Sequence, residues 1–482
     1  MTYQHDNSDK NLMGIQNALK YDGDGEPTLR VSIEEISEGA NMTINGDVIV
    51  TDITGVVEIN NDEGNPIPIS GTVAVSGITG TVNVATNPTG TDAFGRQRVS
   101  NPLTLFDSSH RFKDNGLWAT STVTGGSFAF SPNEGLVNLT VDTTANAEVI
   151  RETLKVFSYQ PGKSLLNLNT FVFSPAKSNL RQRVGYFGAQ NGMYLELDGS
   201  TVSFVERSYV TGAVTETRAN QADWNIDPMD GTGPSGFILD ISKAQIMWMD
   251  VEWLGLGTVR LGFVIDGQFV HCHSFHHANR ITSTYITTAS LPLRYEIKNT
   301  GVTSSSSTLK QICSTVMSEG GYELRGQQNG IETLITAPKA IATKGVFYPV
   351  VSIRLKSTAL DAIVIPTAAS FLGTGNGINY LWKFIVGGTV TTGSWTSAGV
   401  DSAVEYTISG TAITGGRVVA SGFINSSNQG SPALELLKEA LFQFQLERNS
   451  LTGTPSSFTL AITSDTDAQE VFGSMDWEEI TR

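Results

Sequence analysis

The sequence predicts an all-β chain: an N-terminal intertwined β-repeat shaft followed by two β-sandwich, jelly-roll-like domains. Three observations carry that expectation. They are a glycine-containing repeat between residues 44 and 84, a succession of short alternating strands with Asp-Gly turns, and a composition poor in charge. At 482 residues the chain has length for about two or three domains, each with a core of its own. Only 16% of it is charged, below the usual quarter, and 49 residues are glycine, which places it among turn-rich β proteins. The expected divisions are an attachment segment at 1–36, the shaft at 37–93, a first sandwich at 94–325, a connector at 326–344, and a C-terminal sandwich with one helix at 345–482.

Within the attachment segment, "KNLMGIQNALKY" places Leu12, Ile15 and Leu19 at near-helical spacing and predicts a short amphipathic turn or two. The next stretch, "DGDGEPTLRVSI", has Asp22, Asp24 and Glu26 at alternate positions, as in a calcium loop. The terminal bidentate Glu and the flanking helices of such a loop are missing, so a plain turn is the simpler reading. The start, "MTYQHDNSDKNLMG", has no basic and apolar leader pattern, and no apolar run reaches spanning length, so membrane insertion is not expected.

The repeat begins at Ile44. "INGDVIV" from Ile44, "ITGVVEI" from Ile53, "ISGTVAV" from Ile69 and "ITGTVNV" from Ile78 share one pattern, with an apolar residue first, Gly third, and apolar residues fifth and seventh. Alternate residues of a strand share a face, so Ile44 and Gly46, Gly55 with its Ile53, Ile69 and Gly71, and Ile78 and Gly80 all point one way. A glycine on a buried face means that another backbone approaches too closely for a Cβ. Units this small bury apolar area only by stacking on neighbours, and other copies of the chain around a shared axis would supply them. The alternative is an ordinary β-meander packed on the following domain.

Pro88 and nearby glycines mark the end of the repeat. Short strands follow, with Asp198-Gly199 and Asp266-Gly267 set between apolar alternations as hairpin signals. Around the second of these, Val259, Leu261, Phe263 and Ile265 share a face. In the C-terminal region Trp382, Trp395 and Trp477 are expected core anchors, and Ser431, Pro432, Leu434, Leu437 and Leu441 predict a capped helix.

Two stretches could carry chemistry. In "HCHSFHH", His271, His273 and Phe275 would share a strand face with Cys272 opposite, and a His-x-His pair from each of three chains would offer six imidazoles to iron or nickel. A His-rich exposed edge is the plainer reading of the same residues, His276 and His277 included. "WMDVEW" sets Trp248, Asp250 and Glu252 on one face, like the paired carboxylates of jelly-roll glycoside hydrolases, although Trp248 stands where that motif has a further Glu. The alternative is a solvated outer face. Cys272 and Cys313 could in principle pair, but nothing in the pattern forces it and buried free thiols are the default reading. No G-x-S-x-G elbow and no phosphate loop occurs. The net charge of −16 with no basic block argues against nucleic acid as a partner.

Several stretches together resemble virion structural proteins of tailed bacteriophages, especially marine and cyanobacterial ones. They are "TDAFGRQRVSNPLTLFDSSHRF", "LPLRYEIKNTG" with "LKQICSTVMSEGGY", and "SMDWEEITR", covering most of 90–325 and the C-terminal domain. The resemblance implies a fibre, decoration or adsorption component, often a homotrimer, with no catalytic residues. The expectation is a trimeric fibre or spike used in host adsorption on the tail or baseplate and made in the host cytoplasm. It would bind other virion proteins through the N-terminal segment and touch a host surface glycan, with no cofactor. Alternatives are a head fibre, decoration or joint binding only virion proteins, and a polysaccharide depolymerase.

Overall fold

The computed structural model describes residues 15–21, 27–33, 90–93, 95–99, 101–321, 326–427 and 444–481. The chain divides into two compact units, Met1–Asn83 and Val84–Arg482. The repeat residues Ile44 to Gly80, the Asp22 to Glu26 loop and the expected helix at 431–441 lie outside the described residues. In the first unit Ile15–Tyr21 pairs antiparallel with Pro27–Ile33, setting Ile15 opposite Ile33 and Leu19 opposite Leu29. The helical turn expected here is therefore a strand from Ile15 onward. A four-residue spacing is an even number, so it fits one face of a strand as readily as one face of a helix.

In the second unit, residues 101–321 form two antiparallel sheets around one core. One has seven strands in the order Thr215–Asn220, Thr201–Ser208, Gly192–Asp198, Leu180–Phe187, Leu293–Asn299, Glu148–Thr153 and Trp118–Thr122. The other runs Gln268–Phe275, Val259–Ile265, Ala244–Val251, Leu165–Val172, Ser307–Ser318, Leu136–Val141 and Gly126–Ser131, with Leu103–Ser109 on the far half of Ser307–Ser318. Both expected hairpins form. Ile265 pairs with Gln268, so Asp266 and Gly267 make a two-residue turn with φ of 51° and 76°, the conformation that favours Asp-Gly. Val259, Leu261 and Phe263 point into the core with Ile265 at its margin, and Phe263 meets Phe204 of the opposite sheet at 5.9 Å. This region is a β-sandwich, as the alternation predicts.

The second sandwich corrects the expected connector. Gln327–Glu332 and Lys339–Ile341 both pair with the long strand Gln469–Thr481, which has Ile363–Gly373 on its other side. "QQNGIE" reads as a loop because most of its residues stay exposed, and only its pairing with a distant strand makes it one. The facing sheet runs Thr396–Ser397, Val404–Thr407, Tyr348–Leu355, Phe458–Ser464, Asn379–Val386 and Arg417–Asn425. Trp382 and Trp477 are buried between the sheets as expected. Trp395 is not a core anchor: it precedes a two-residue edge strand, is half-buried, and lies under the Arg354 guanidinium at 3.9 Å.

The two sandwiches are joined by buried polar contacts. Gln445 donates from Nε2 to the Val156 carbonyl at 2.9 Å, and the Arg448 amide donates to the Leu154 carbonyl at 2.9 Å. The buried Arg448 guanidinium reaches the Thr153 carbonyl at 2.7 Å and Glu152 at 3.1 Å, while Arg294 holds the other Glu152 oxygen at 2.8 Å. Removing one partner of a buried ion pair leaves an uncompensated charge, which costs about 3–5 kcal/mol. Arg448→Ala should therefore destabilise the joint by about that amount and split thermal unfolding into two transitions in calorimetry. An unchanged single transition would mean that the sandwiches are held by other contacts.

Candidate functional site

Strand Ala244–Val251 lies well inside the eight-stranded sheet. Its alternation sends Met247, Met249 and Val251 into the core and Trp248 and Asp250 to the opposite face. That face was expected to be solvated, yet both residues are fully buried. Trp248 lies over Gly262 of the next strand, where an added Cβ would come 2.9 Å from the indole nitrogen, and it donates to the Val270 carbonyl at 3.1 Å. Glycine here leaves the space the indole fills.

Asp250 is covered by the stretch that opens "TDAFGRQR". Asp92 accepts from the Arg96 amide at 2.8 Å and from Arg96 Nε at 2.7 Å, Gly95 turns with φ of 76°, and Thr91 bridges Gln97. The closed loop projects Arg98 onto Asp250 Oδ2 at 2.7 Å, and Arg260 reaches the same oxygen at 2.5 Å. Arg260 also donates to the Thr91 carbonyl at 2.6 Å, and Arg98 reaches Glu319 at 3.2 Å. This loop, a clasp on the outer face, explains why arginines follow the repeat.

Four carboxylates and three arginines thus meet at one place. Burial, then the neighbouring charges of Asp92 and Asp250, raises the Glu252 carboxyl above its usual range. Glu319 is raised by burial, with Arg98 opposing and Asp92 adding to the rise. At Asp92 burial works in the same direction, but the hydrogen bonds from Arg96 outweigh it and hold the carboxyl low. Two carboxylates can divide acid and nucleophile roles only if both reach the substrate. Asp250 is enclosed between two guanidiniums, so the geometry makes it a fixed anion that anchors the clasp.

The histidine strand departs from simple alternation. Leu261 pairs with His273 and Gly262 with His271, so one residue of Gln268–Phe275, Cys272, is an extra one in a bulge. Residues on either side of a bulge change face. His271 therefore lies outside, 5.7 Å from the Trp248 ring and 2.9 Å from Ser274 Oγ, whereas His273 is buried on the inner side, edge-on to Phe275 at 4.6 Å. Cys272 sits in the core with its thiol pushed up by burial, and Cys313 is exposed rather than buried, both free. His271 and His273 do not form the shared-face pair that a metal would need. Among the described residues no group of three or more His, Cys, Asp or Glu is placed to hold a metal.

The largest charged constellation was not anticipated. On the outer face of the seven-stranded sheet Glu196 and Glu296 stand on either side of Arg183, Arg207 faces Glu216, and Arg294 faces Glu152. Arg183 bonds Glu196 at 2.7 Å, Arg218 bonds it at 2.8 Å, and Glu216 accepts from Tyr194 at 2.7 Å and Arg207 at 2.8 Å. The signal lay in "LRQRVGYF", "YLELD" and "LRYEIK", where charges alternate with apolar residues and change sign between strands.

No protein-family model and no curated protein matches the chain. Among solved structures, a protein of unknown function from Shewanella oneidensis MR-1 is 12% identical with a TM-score of 0.30, over 51% of this chain and 100% of that one. The carbohydrate recognition domain of Emp47p is 9% identical with a TM-score of 0.29, over 46% and 97% of the two chains. A legume lectin-like domain from Entamoeba histolytica is 9% identical with a TM-score of 0.28, over 46% and 100%.

Arg98→Ala should destabilise the first sandwich by about 1.5–3 kcal/mol, the range for a hydrogen bond to a charged group, and speed proteolysis between residues 90 and 99. Unaltered cleavage would separate the clasp from Asp250. A second expectation concerns acid. Burial, assisted by the Arg151 charge, lowers His110 from 6.5 to about 4, and burial lowers His271 and His273 to about 4 as well. The unfolded chain then takes up these protons first, so stability is full above the ordinary histidine value and falls as pH drops from 6.5 toward 4. His110 alone contributes on the order of 3 kcal/mol to that fall. Urea midpoints between pH 7 and 4.5 should show the decline, and His110→Gln should make it shallower. Equal slopes in the two proteins would remove His110 from the account.

Proposed function

We propose that the chain is a structural protein of a bacteriophage virion: a homotrimeric fibre or spike that serves host adsorption on the tail or baseplate. Residues 1–36 would bind other virion proteins, and the sandwiches would contact a host surface glycan. The observation that carries the reading is that the charged clusters of Val84–Arg482 are closed on themselves. Asp250 is fixed between Arg98 and Arg260, and Glu152 between Arg294 and Arg448. Side chains so placed stiffen a double sandwich and leave its loops as the contact surface, which suits a displayed, force-carrying component. The repeat beginning at Ile44, with Gly third in each unit, supports association with further copies.

Mass photometry of the intact chain should give a species of three chains, and antibody-labelled particles should carry label on the tail or baseplate. Gly71→Val and Gly80→Val should each shift the mass to one chain while the aromatic circular dichroism of the sandwiches persists. A stable monomer in the unaltered protein sinks the trimer. Label confined to the head would favour a head fibre or decoration, and unlabelled particles would end the virion reading.

A further inference from the structure

Beyond the end of strand Gln268–Phe275, His277 is buried with acceptors on both sides of its ring. Its Nε2 lies 2.8 Å from a carboxylate oxygen of Glu206, on strand Thr201–Ser208 of the seven-stranded sheet. Its Nδ1 lies 2.5 Å from the carbonyl oxygen of Gly257, in the loop joining strands Ala244–Val251 and Val259–Ile265. A carbonyl only accepts, an ionised carboxylate only accepts, and a neutral imidazole has a single N–H. With Glu206 as a carboxylate, only the doubly protonated ring satisfies both contacts.

We infer that His277 is a resident imidazolium and acts as a charge-dependent latch tying the Gly257 loop and the 276–292 segment to the seven-stranded sheet. The latch is closed from acid to neutral pH. Loss of the proton at higher pH leaves one nitrogen lone pair facing an acceptor, and either the Gly257 carbonyl or Glu206 loses its donor inside the fold.

The surrounding groups are consistent with a held charge. Tyr285 stacks flat on the ring at 4.0 Å and 6°, presenting its π face, and donates its hydroxyl to the Glu252 carbonyl at 2.8 Å. Glu206 and the Gly257 carbonyl favour the proton, while burial, the largest influence, and the Arg280 charge oppose it. The balance raises His277 above its ordinary value. His276, exposed beside it, is lowered by burial and by the charges of Arg280 and His277, and bonds Thr258 Oγ1 from Nδ1 at 3.2 Å. Glu252 faces the stacked tyrosine from the Gly257 loop, and Tyr159 and Tyr186 also lie near it. A raised folded-state value means that the stabilisation is complete below the unfolded histidine value and is lost as pH rises through the folded one.

The test uses the intact chain labelled with ¹⁵N-histidine; six histidines make a readable spectrum, and His277→Gln identifies the signals of interest. At pH 6.5 both His277 nitrogens should carry directly bonded protons, and they should keep them to a pH at which His271 and His273 have long been neutral. Glu206→Gln should weaken His277 proton binding by tenfold or more. Hydrogen exchange, corrected for the intrinsic pH effect, should show residues 252–258 opening as the pH rises through the His277 titration seen in the spectrum of the unaltered chain. A neutral tautomer at pH 6.5 in the unaltered chain overturns the proposal, so the result does not depend on the variants folding. An imidazolium whose loss leaves exchange at 252–258 unchanged overturns the latch.

Discussion

The Glu152 carboxylate is enclosed between Arg294 of its own sheet and Arg448 of the second sandwich, and much of the molecule's charge is arranged around that enclosure. A buried carboxylate carries a desolvation penalty of several kcal/mol, which only close partners on both oxygens offset. Arg294 lies 3.9 Å from Glu296, Glu296 3.3 Å from Arg183, Arg183 2.7 Å from Glu196, and Glu196 2.8 Å from Arg218. Alternating charges thus run across the seven-stranded sheet from its Thr215–Asn220 edge to the joint. Each ion screens the next, so the row is stable as a whole and costly to interrupt at any one point.

The two outer faces of the first sandwich are sheltered in different ways. One is closed by this row and by aromatic contacts such as Arg183 over Tyr194 at 5.0 Å. The other is closed by the clasp from residues 90–99, which brings cations to an anion standing on a strand inside the sheet. Neither face is the simple polar exterior that alternation implies. The same period that sends every second residue outward says nothing about what later covers it.

That difference marks how much was legible. The all-β class, the hairpins at Asp198 and Asp266, and the inward set Val259, Leu261 and Phe263 follow from local rules of period and turn chemistry. The bulge at Cys272 does not, because an extra residue is defined only against the partner strand; it separated His271 from His273. Gln327–Glu332 became a strand through pairing with residues about 150 positions away. Asp250 was correctly placed on the strand, whereas Glu252 lies just past its end at Val251, in the loop that follows, and the arginines that decide Asp250's chemistry arrive from other elements. Asp92, Arg98 and Glu319 were not singled out, since nothing local connects them.

The clasp also determines how tension would enter the first sandwich. Among the described residues strand Leu103–Ser109 pairs with one neighbour, so a pull on its N-terminal end alone would open hydrogen bonds one at a time. Arg98 meets that pull earlier, at Asp250, on a strand flanked by Leu165–Val172 and Val259–Ile265. Tension applied to the chain ahead of residue 90 would thereby be shared with the interior of the sheet, and the first strand would be spared unzipping.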